Sequence, residues 1–202
     1  PIRPFACDLA NPYGGKILFW WGVGKPILHD GAMILSFSKV HRFGWGFMAA
    51  SEGAFIRSDN ICTERDITKL EFETLPEGDI GIRPLEGTVA DEHNAVGLAD
   101  GSLFCTYRTT SGHPGHAYSR DGGRTWSPPA HMTYGPGRRR VKHPRAANFV
   151  KRFSNGKFLY WFHNNALGDY HFSAKRYNAN RNPVWLLGGT ERDGFIHWSE
   201  PE

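Results

Sequence analysis

One eleven-residue pattern occurs twice in this chain, and no other feature constrains its fold as strongly. Ser119-Arg120-Asp121-Gly122-Gly123-Arg124-Thr125-Trp126-Ser127-Pro128-Pro129 returns as Glu191-Arg192-Asp193-Gly194-Phe195-Ile196-His197-Trp198-Ser199-Glu200-Pro201, with six positions identical in register. A fainter copy opens at Glu64-Arg65-Asp66 and runs to Leu70 and Phe72. Beside this pattern recurs a second element. Asp30-Gly31, Asp100-Gly101 and Asn155-Gly156 each precede a β-rich run that ends at Phe37, Tyr107 and Phe162 respectively. Asp-Gly and Asn-Gly dipeptides supply the positive φ angles of a tight hairpin, and runs of β-branched and aromatic residues suit a buried strand. The dipeptides lie 70 and 55 residues apart, so the chain repeats a unit of several short antiparallel strands.

Composition agrees with short strands and removes several other classes. The chain of 202 residues carries 24 Gly and 13 Pro, spread between short apolar runs rather than gathered in a linker. Seven Trp, seven Tyr and fourteen Phe are enough to fill a large core, which excludes a disordered tail, and no heptad pattern supports a coiled coil. No apolar run is long enough to cross a bilayer as a helix, and no charged-then-apolar leader opens the chain. Cys7, Cys62 and Cys105 are odd in number and lack metal spacing, so buried free thiols are expected and no metal or cofactor is called for. The net charge is +4, and its one dense cluster, Arg138 to Lys142, follows the turn Gly135-Pro136-Gly137. A solvated loop explains that cluster better than a nucleic-acid surface.

The first copy of the eleven-residue pattern fits S-x-D-x-G-x-T-W throughout and resembles the Asp-box, or BNR repeat, of sialidase-like β-propellers. Each residue type has a physical task. The Asp carboxylate accepts hydrogen bonds from its own turn, Gly takes a positive φ, and Trp covers the hairpin with an apolar face. Ser119, Asp121, Gly123 and Trp126, with Asp193 and Trp198 in the second copy, are therefore expected to build outer hairpins and not to catalyse. The resemblance implies an all-β propeller of four-stranded antiparallel blades, running approximately over 14–75, 86–129 and 143–201, in one partial domain covering 1–202. Such rings commonly have six blades. About three are expected here, with the others upstream and downstream, and the chain alone is expected to be inactive.

The same resemblance implies where chemistry resides. The sialidase pattern places a Glu at the start of an inner strand, a D-G turn after it and an Arg at the end of the next strand. Glu92 and Arg108, sixteen residues apart and followed by the full Asp-box, match it. In that family a Tyr is the nucleophile, a Glu removes its proton, an Asp is the acid, and three arginines grip the sugar's carboxylate. Planar guanidinium groups match a carboxylate bidentately, and a neutral phenol approaches an anionic centre more easily than a carboxylate does. Glu92 is then the base and Arg108 the second arginine. Arg181 is the third, standing twelve residues before Asp193 as Arg108 stands thirteen before Asp121. Pro1-Ile2-Arg3-Pro4 has the letters of the family's first arginine motif in the wrong order. The first arginine, the acid Asp and the nucleophilic Tyr are expected outside this chain.

Weaker substrate-binding candidates are His93, Arg145 and His163, drawn from ten histidines, several of which gather near the Glu92 unit or the next one. They keep a second reading open, a propeller lyase or rhamnosidase-like hydrolase acting on uronic-acid glycans through His93, His143 or His163 with Arg145. A third is a non-catalytic glycan-binding propeller, with Tyr160, Trp161 or Trp185 stacking on sugar rings. The preferred expectation is an exo-glycosidase that releases terminal sialic acid or a related acidic sugar with retention, from a glycan partner rather than nucleic acid. The compartment is left open, with a lean to a secreted or periplasmic setting.

Overall fold

A computed structural model describes residues 18–19, 22, 24–40, 50–77, 80–165 and 181–201. They form three antiparallel sheets and, among the described residues, no α-helix. Sheet 1 holds β1 (Leu18–Phe19), β2 (Ile27–His29), β3 (Ala32–Val40), β4 (Glu52–Ser58) and β5 (Glu73–Leu75). Its first strand position is shared, because β1 pairs with the end of β3 and β2 with its beginning. Sheet 2 runs in order through β6 (Asp91–Gly97), β7 (Leu103–Arg108), β8 (Gly115–Ser119) and β9 (Ala130–His131). Sheet 3 does the same with β10 (Phe149–Arg152), β11 (Phe158–Phe162), β12 (Trp185–Arg192) and β13 (Phe195–Trp198). This is the all-β, blade-built architecture of a propeller.

The predicted hairpins join the first strand of each sheet to the second. Asp30 and Gly31 have φ of 48° and 77° between β2 and β3, and Gly101 and Gly156 have φ of 84° and 77° in the other two sheets. Asp100 Oδ1 accepts the Ser102 amide at 3.0 Å and Asn155 Oδ1 the Lys157 amide at 3.1 Å. Each carboxylate or amide oxygen thus satisfies a backbone donor of its own turn.

Sheet 2 lies between the other two, which explains why every residue of β7 is buried. Side chains of a strand alternate between faces. Leu103, Cys105 and Tyr107 pack with Ile34, Phe55 and Leu75 of sheet 1, while Phe104 joins Tyr160, Phe162, Leu187 and Trp198 of sheet 3. Thr106, on the same face as Phe104, donates its hydroxyl to Asn148 Oδ1 at 2.9 Å. Leu103 is fully buried, and Leu103→Ala in such a setting costs about 2–5 kcal/mol.

The three related segments all connect a third strand to a fourth, yet they are built differently. Between β8 and β9, Asp121 Oδ1 accepts from the Ser119 hydroxyl at 2.8 Å and the Thr125 amide at 2.9 Å. Ser119 Oγ accepts the Gly123 amide at 2.8 Å, and the Trp126 ring stacks on Phe55 at 5.0 Å. Between β12 and β13 there is only a two-residue turn, with Asp193 and Gly194 at φ of 52° and 73° and Arg192 paired with Phe195. Among the described residues the Asp193 carboxylate makes no hydrogen bond, and Trp198 leaves the hairpin for the core. Between β4 and β5, Asp66 caps the 3-10 turn Ile67–Lys69 by accepting from the Thr68 amide. Cys105 is buried as expected, Cys62 is exposed, and Cys7 lies outside the described residues. The arginine cluster is exposed, as expected of a solvated loop. Arg138 and Arg139 both pair with Glu200, and Arg139 lies over the Tyr134 ring at 4.2 Å.

Candidate functional site

Antiparallel pairing brings the start of β6 and the end of β7 to one end of the sheets, and the starts of β10 and β12 and the end of β11 to the same end. Asp91 pairs with Arg108, and a β-bulge between Asp91 and Asn94 breaks the register. Glu92 sits in this bulge with φ of 55°. A left-handed conformation at a non-glycine residue costs about 1–2 kcal/mol and persists only where its surroundings enforce it. The bulge re-aims Glu92 so that both its oxygens lie 3.1 Å from Arg108 Nη1. The pair is almost sealed, with side-chain exposures of 4% for Arg108 and 11% for Glu92.

A second guanidinium joins from sheet 3. Arg108 Nη2 donates to the Arg145 carbonyl oxygen at 2.8 Å, and Arg181 Nη2 donates to the same oxygen at 3.0 Å. The sequence expectation brought Glu92, Arg108 and Arg181 together, and the structure does gather them. It uses Arg145 through its backbone as the meeting point. Three guanidinium groups thus share this region with two carboxyl groups, Glu92 and Asp91.

Asp91 was not anticipated. It is 1% exposed, and burial pushes its carboxyl above the usual range, against the opposing pull of Ser51, Arg108, Arg145 and Ser38. Three guanidinium groups against two carboxyl groups leave a formal excess of positive charge, and that favours an external anion beside them. The adjacent acidic pair Asp91-Glu92 at a strand start was the available signal. Sheet 1 adds a network that no local pattern announced. Glu52 accepts from Arg83 Nε at 2.9 Å and faces Lys39 Nζ at 3.8 Å.

The histidines divide into two groups. His143 Nε2 bonds the Ala146 carbonyl at 2.8 Å, and its Nδ1 accepts the His163 amide at 3.3 Å. Those two contacts select the neutral Nε2–H tautomer, and burial pushes the imidazole down to about 3. His163 stacks on it at 5.6 Å; burial, then the Arg181 charge, lowers its pKa as well. Both rings therefore flank the arginine cluster as neutral groups. His93 is elsewhere. Strand alternation turns it toward sheet 1, where it stacks on Tyr107 at 4.6 Å, 1% exposed, and is pushed down to about 3 by burial. Gly53 makes the room, since a Cβ there would lie 2.0 Å from His93 Nε2. Among the described residues no group of three or more His, Cys, Asp or Glu is placed to hold a metal ion.

No protein-family model matches the chain, and no curated protein matches it in sequence. Solved structures do share the fold. The NanB sialidase of Streptococcus pneumoniae matches over 87% of this chain and 22% of its own, with 17% identity and a TM-score of 0.52. The intramolecular trans-sialidase of Ruminococcus gnavus matches over 87% of this chain and 32% of its own, with 17% identity and a TM-score of 0.53. A Bacteroides ovatus protein described as a putative hydrolase matches over 93% of this chain and 45% of its own, with 10% identity and a TM-score of 0.52. The chain spans between about a fifth and about half the length of these proteins. At such identities the likeness establishes a sialidase-like propeller fold.

Proposed function

We propose that this chain forms part of the site of an exo-glycosidase of sialidase type, which hydrolyses terminal sialic acid or a related acidic sugar with retention. The observation that carries the reading is the meeting of Arg108 and Arg181 on one carbonyl oxygen, with Glu92 fixed against Arg108. A sugar carboxylate is the ligand such a pair accommodates, since each guanidinium can direct two N–H bonds at one carboxylate. Glu92, held at a strained bulge, is the base that takes the proton of a tyrosyl nucleophile as the phenol attacks the anomeric carbon. The reading requires that Tyr, an acid Asp and a further arginine from elsewhere in the parent protein. The fold shared with a sialidase and a trans-sialidase adds support. Of the histidines named for the lyase alternative, His143 is the least suited, because both its ring nitrogens are occupied by backbone groups.

The test is an assay of the parent protein on an aryl sialoside and, separately, on a uronic-acid polysaccharide. The expected result is release of free sugar, lowered about 100-fold or more by Glu92→Gln with the fold retained. An absorbance rise from an unsaturated product on the polysaccharide assigns a lyase instead. Glycan binding without any release assigns a lectin-like propeller.

A further inference from the structure

A cleft of about 520 Å³ opens between the outer strands of sheet 2 and β13 of sheet 3, a size that suits one small ligand. It lies on the outer strands, apart from the inner strand β6 that carries Glu92, and the Ser119–Trp126 hairpin forms one of its walls. Phe104 and Trp198, both nearly fully buried, close its base, while Tyr118, Trp126 and Phe195 flank it. Phe195 is 39% exposed at the rim and meets Tyr118 edge to face at 5.2 Å.

The polar groups on the lining are specific in what they offer. His116 borders the cleft as a largely buried ring set against the Ala130 and His131 backbone. Burial pushes this imidazole down to about 4, so it is neutral near pH 7. Thr125 and Thr133 have committed their hydroxyl protons to Asp121 and to the Gly135 carbonyl, which leaves their lone pairs free to accept. Ser127 Oγ accepts the Tyr118 amide and keeps its proton to donate. Arg120 is the one ionised side chain on the described lining. Three of its five N–H donors go to Asp100 Oδ2 at 3.2 Å, Ser102 Oγ at 2.8 Å and the Gly194 carbonyl at 2.8 Å, with its plane over Tyr118 and Phe195.

The one charge on the described lining is offset by Asp100, and a purely apolar ligand would leave the Thr125, Thr133 and Ser127 hydroxyls unpartnered in a desolvated site. A pyranose ring meets both demands, with an apolar C–H face for the aromatic walls and a rim of hydroxyls that both donate and accept. We propose that this cleft is a second carbohydrate site, which takes a neutral hexopyranose residue. It stands on the cleft's own chemistry and is independent of the reaction assigned to the Glu92 end. A neutral subsite beside an anion-seeking one would let the protein hold a glycan at two chemically different points.

Saturation-transfer NMR of the parent protein with the methyl β-glycosides of galactose, glucose and mannose tests this, with methyl β-glucuronide and indole as contrasts. Expected is transfer concentrated on one C–H face of a neutral glycoside, at a dissociation constant of roughly 1 mM. Phe195→Ala and His116→Ala each weaken it roughly tenfold, and Arg181→Ala leaves it unchanged. Three outcomes overturn the proposal: no transfer to any neutral glycoside, transfer that survives both cleft variants, or occupancy by indole or the glucuronide in preference to the neutral sugars.

Discussion

The two ends of the middle sheet employ polar side chains in opposite ways. At the Ser119–Trp126 hairpin the two side chains that shape the turn bond locally, since Asp121 and Ser119 reach groups no more than four residues away, while Arg120 and Arg124 tie the turn to neighbouring segments. At the other end Arg108 reaches Glu92 across 16 residues and the Arg145 carbonyl across 37. The Asp121 carboxylate and the Ser119 hydroxyl thus satisfy the turn's own backbone and side-chain donors. The inner end is a tertiary assembly with crowded like charge, a buried unpaired carboxyl and a strained backbone at Glu92. Features of the second kind cost stability and gather where a ligand is to be bound.

Breaking the inner end should have the larger effect. Arg108→Ala leaves Glu92 nearly buried without its counter-ion, and loss of one partner of such a pair costs about 3–5 kcal/mol. Urea unfolding should register that loss, and adding Glu92→Gln in the same chain should restore a substantial part of it. A loss below about 1 kcal/mol would mean that the two groups are not energetically coupled, and the contrast between the ends would collapse.

Asp121→Ala comes next. It removes acceptors from the Ser119 hydroxyl, the Thr125 amide and the Thr125 hydroxyl together, and the loss of a cap-like carboxylate costs about 1–2 kcal/mol. The same unfolding measurement checks it. Affinity for an acidic sugar should be untouched, because the hairpin lies at the opposite end from Arg108 and Arg181.

Asp91→Asn sharpens the contrast through pH. Burial raises the Asp91 carboxyl in the folded protein above the 3.8 of a free aspartate side chain. The folded state therefore binds the proton more tightly than the unfolded one, and the native carboxylate loses stability as pH rises from 3.8 through the folded value. The neutral amide escapes that loss. Asn at this position should stabilise the protein near pH 7, with the gain fading on acidification and absent below the unfolded value. Denaturation midpoints across that range measure it, and a constant difference at every pH would contradict the assignment. Acid acts in the opposite sense on His93 and His143, whose pKa values near 3 mean that stability is lost as pH falls below 6.5.

How much of this was legible in sequence follows from the same division. Turn chemistry is local, so Asp30-Gly31, Asp100-Gly101 and Asn155-Gly156 announced the hairpins, and the apolar runs after them announced buried strands. The grouping of Glu92, Arg108 and Arg181 was reached through a family resemblance rather than from local physics. The details that depend on three-dimensional neighbours were not reachable. Nothing around Arg145 indicated that its carbonyl oxygen, more than its side chain, would anchor the cluster. His93 and Glu92 are adjacent in sequence, yet strand alternation and Gly53 place the ring against Tyr107, away from the arginines. The Arg138-Arg139 clasp on Glu200 likewise joins groups some sixty residues apart.

The smallest expected effect tests a place where local sequence misled. Asp121 and Asp193 occupy equivalent positions in the two copies of the repeated segment, so equal roles were expected. In the second copy the strands β12 and β13 pair right up to Arg192 and Phe195, leaving only Asp193 and Gly194 to turn the chain. A two-residue loop with both φ positive requires residues tolerant of the left-handed region, and Asn-Gly is as well suited as Asp-Gly. With no backbone donor bound to its carboxylate, Asp193 contributes conformation rather than hydrogen bonds. Asp193→Asn should therefore change unfolding free energy by less than about 0.5 kcal/mol, whereas Asp121→Asn, which replaces an acceptor pair with one acceptor and one donor, should cost about 1 kcal/mol. Measured side by side, equal losses at the two positions would show that the carboxylate of the second copy bonds its turn in solution as the first one does.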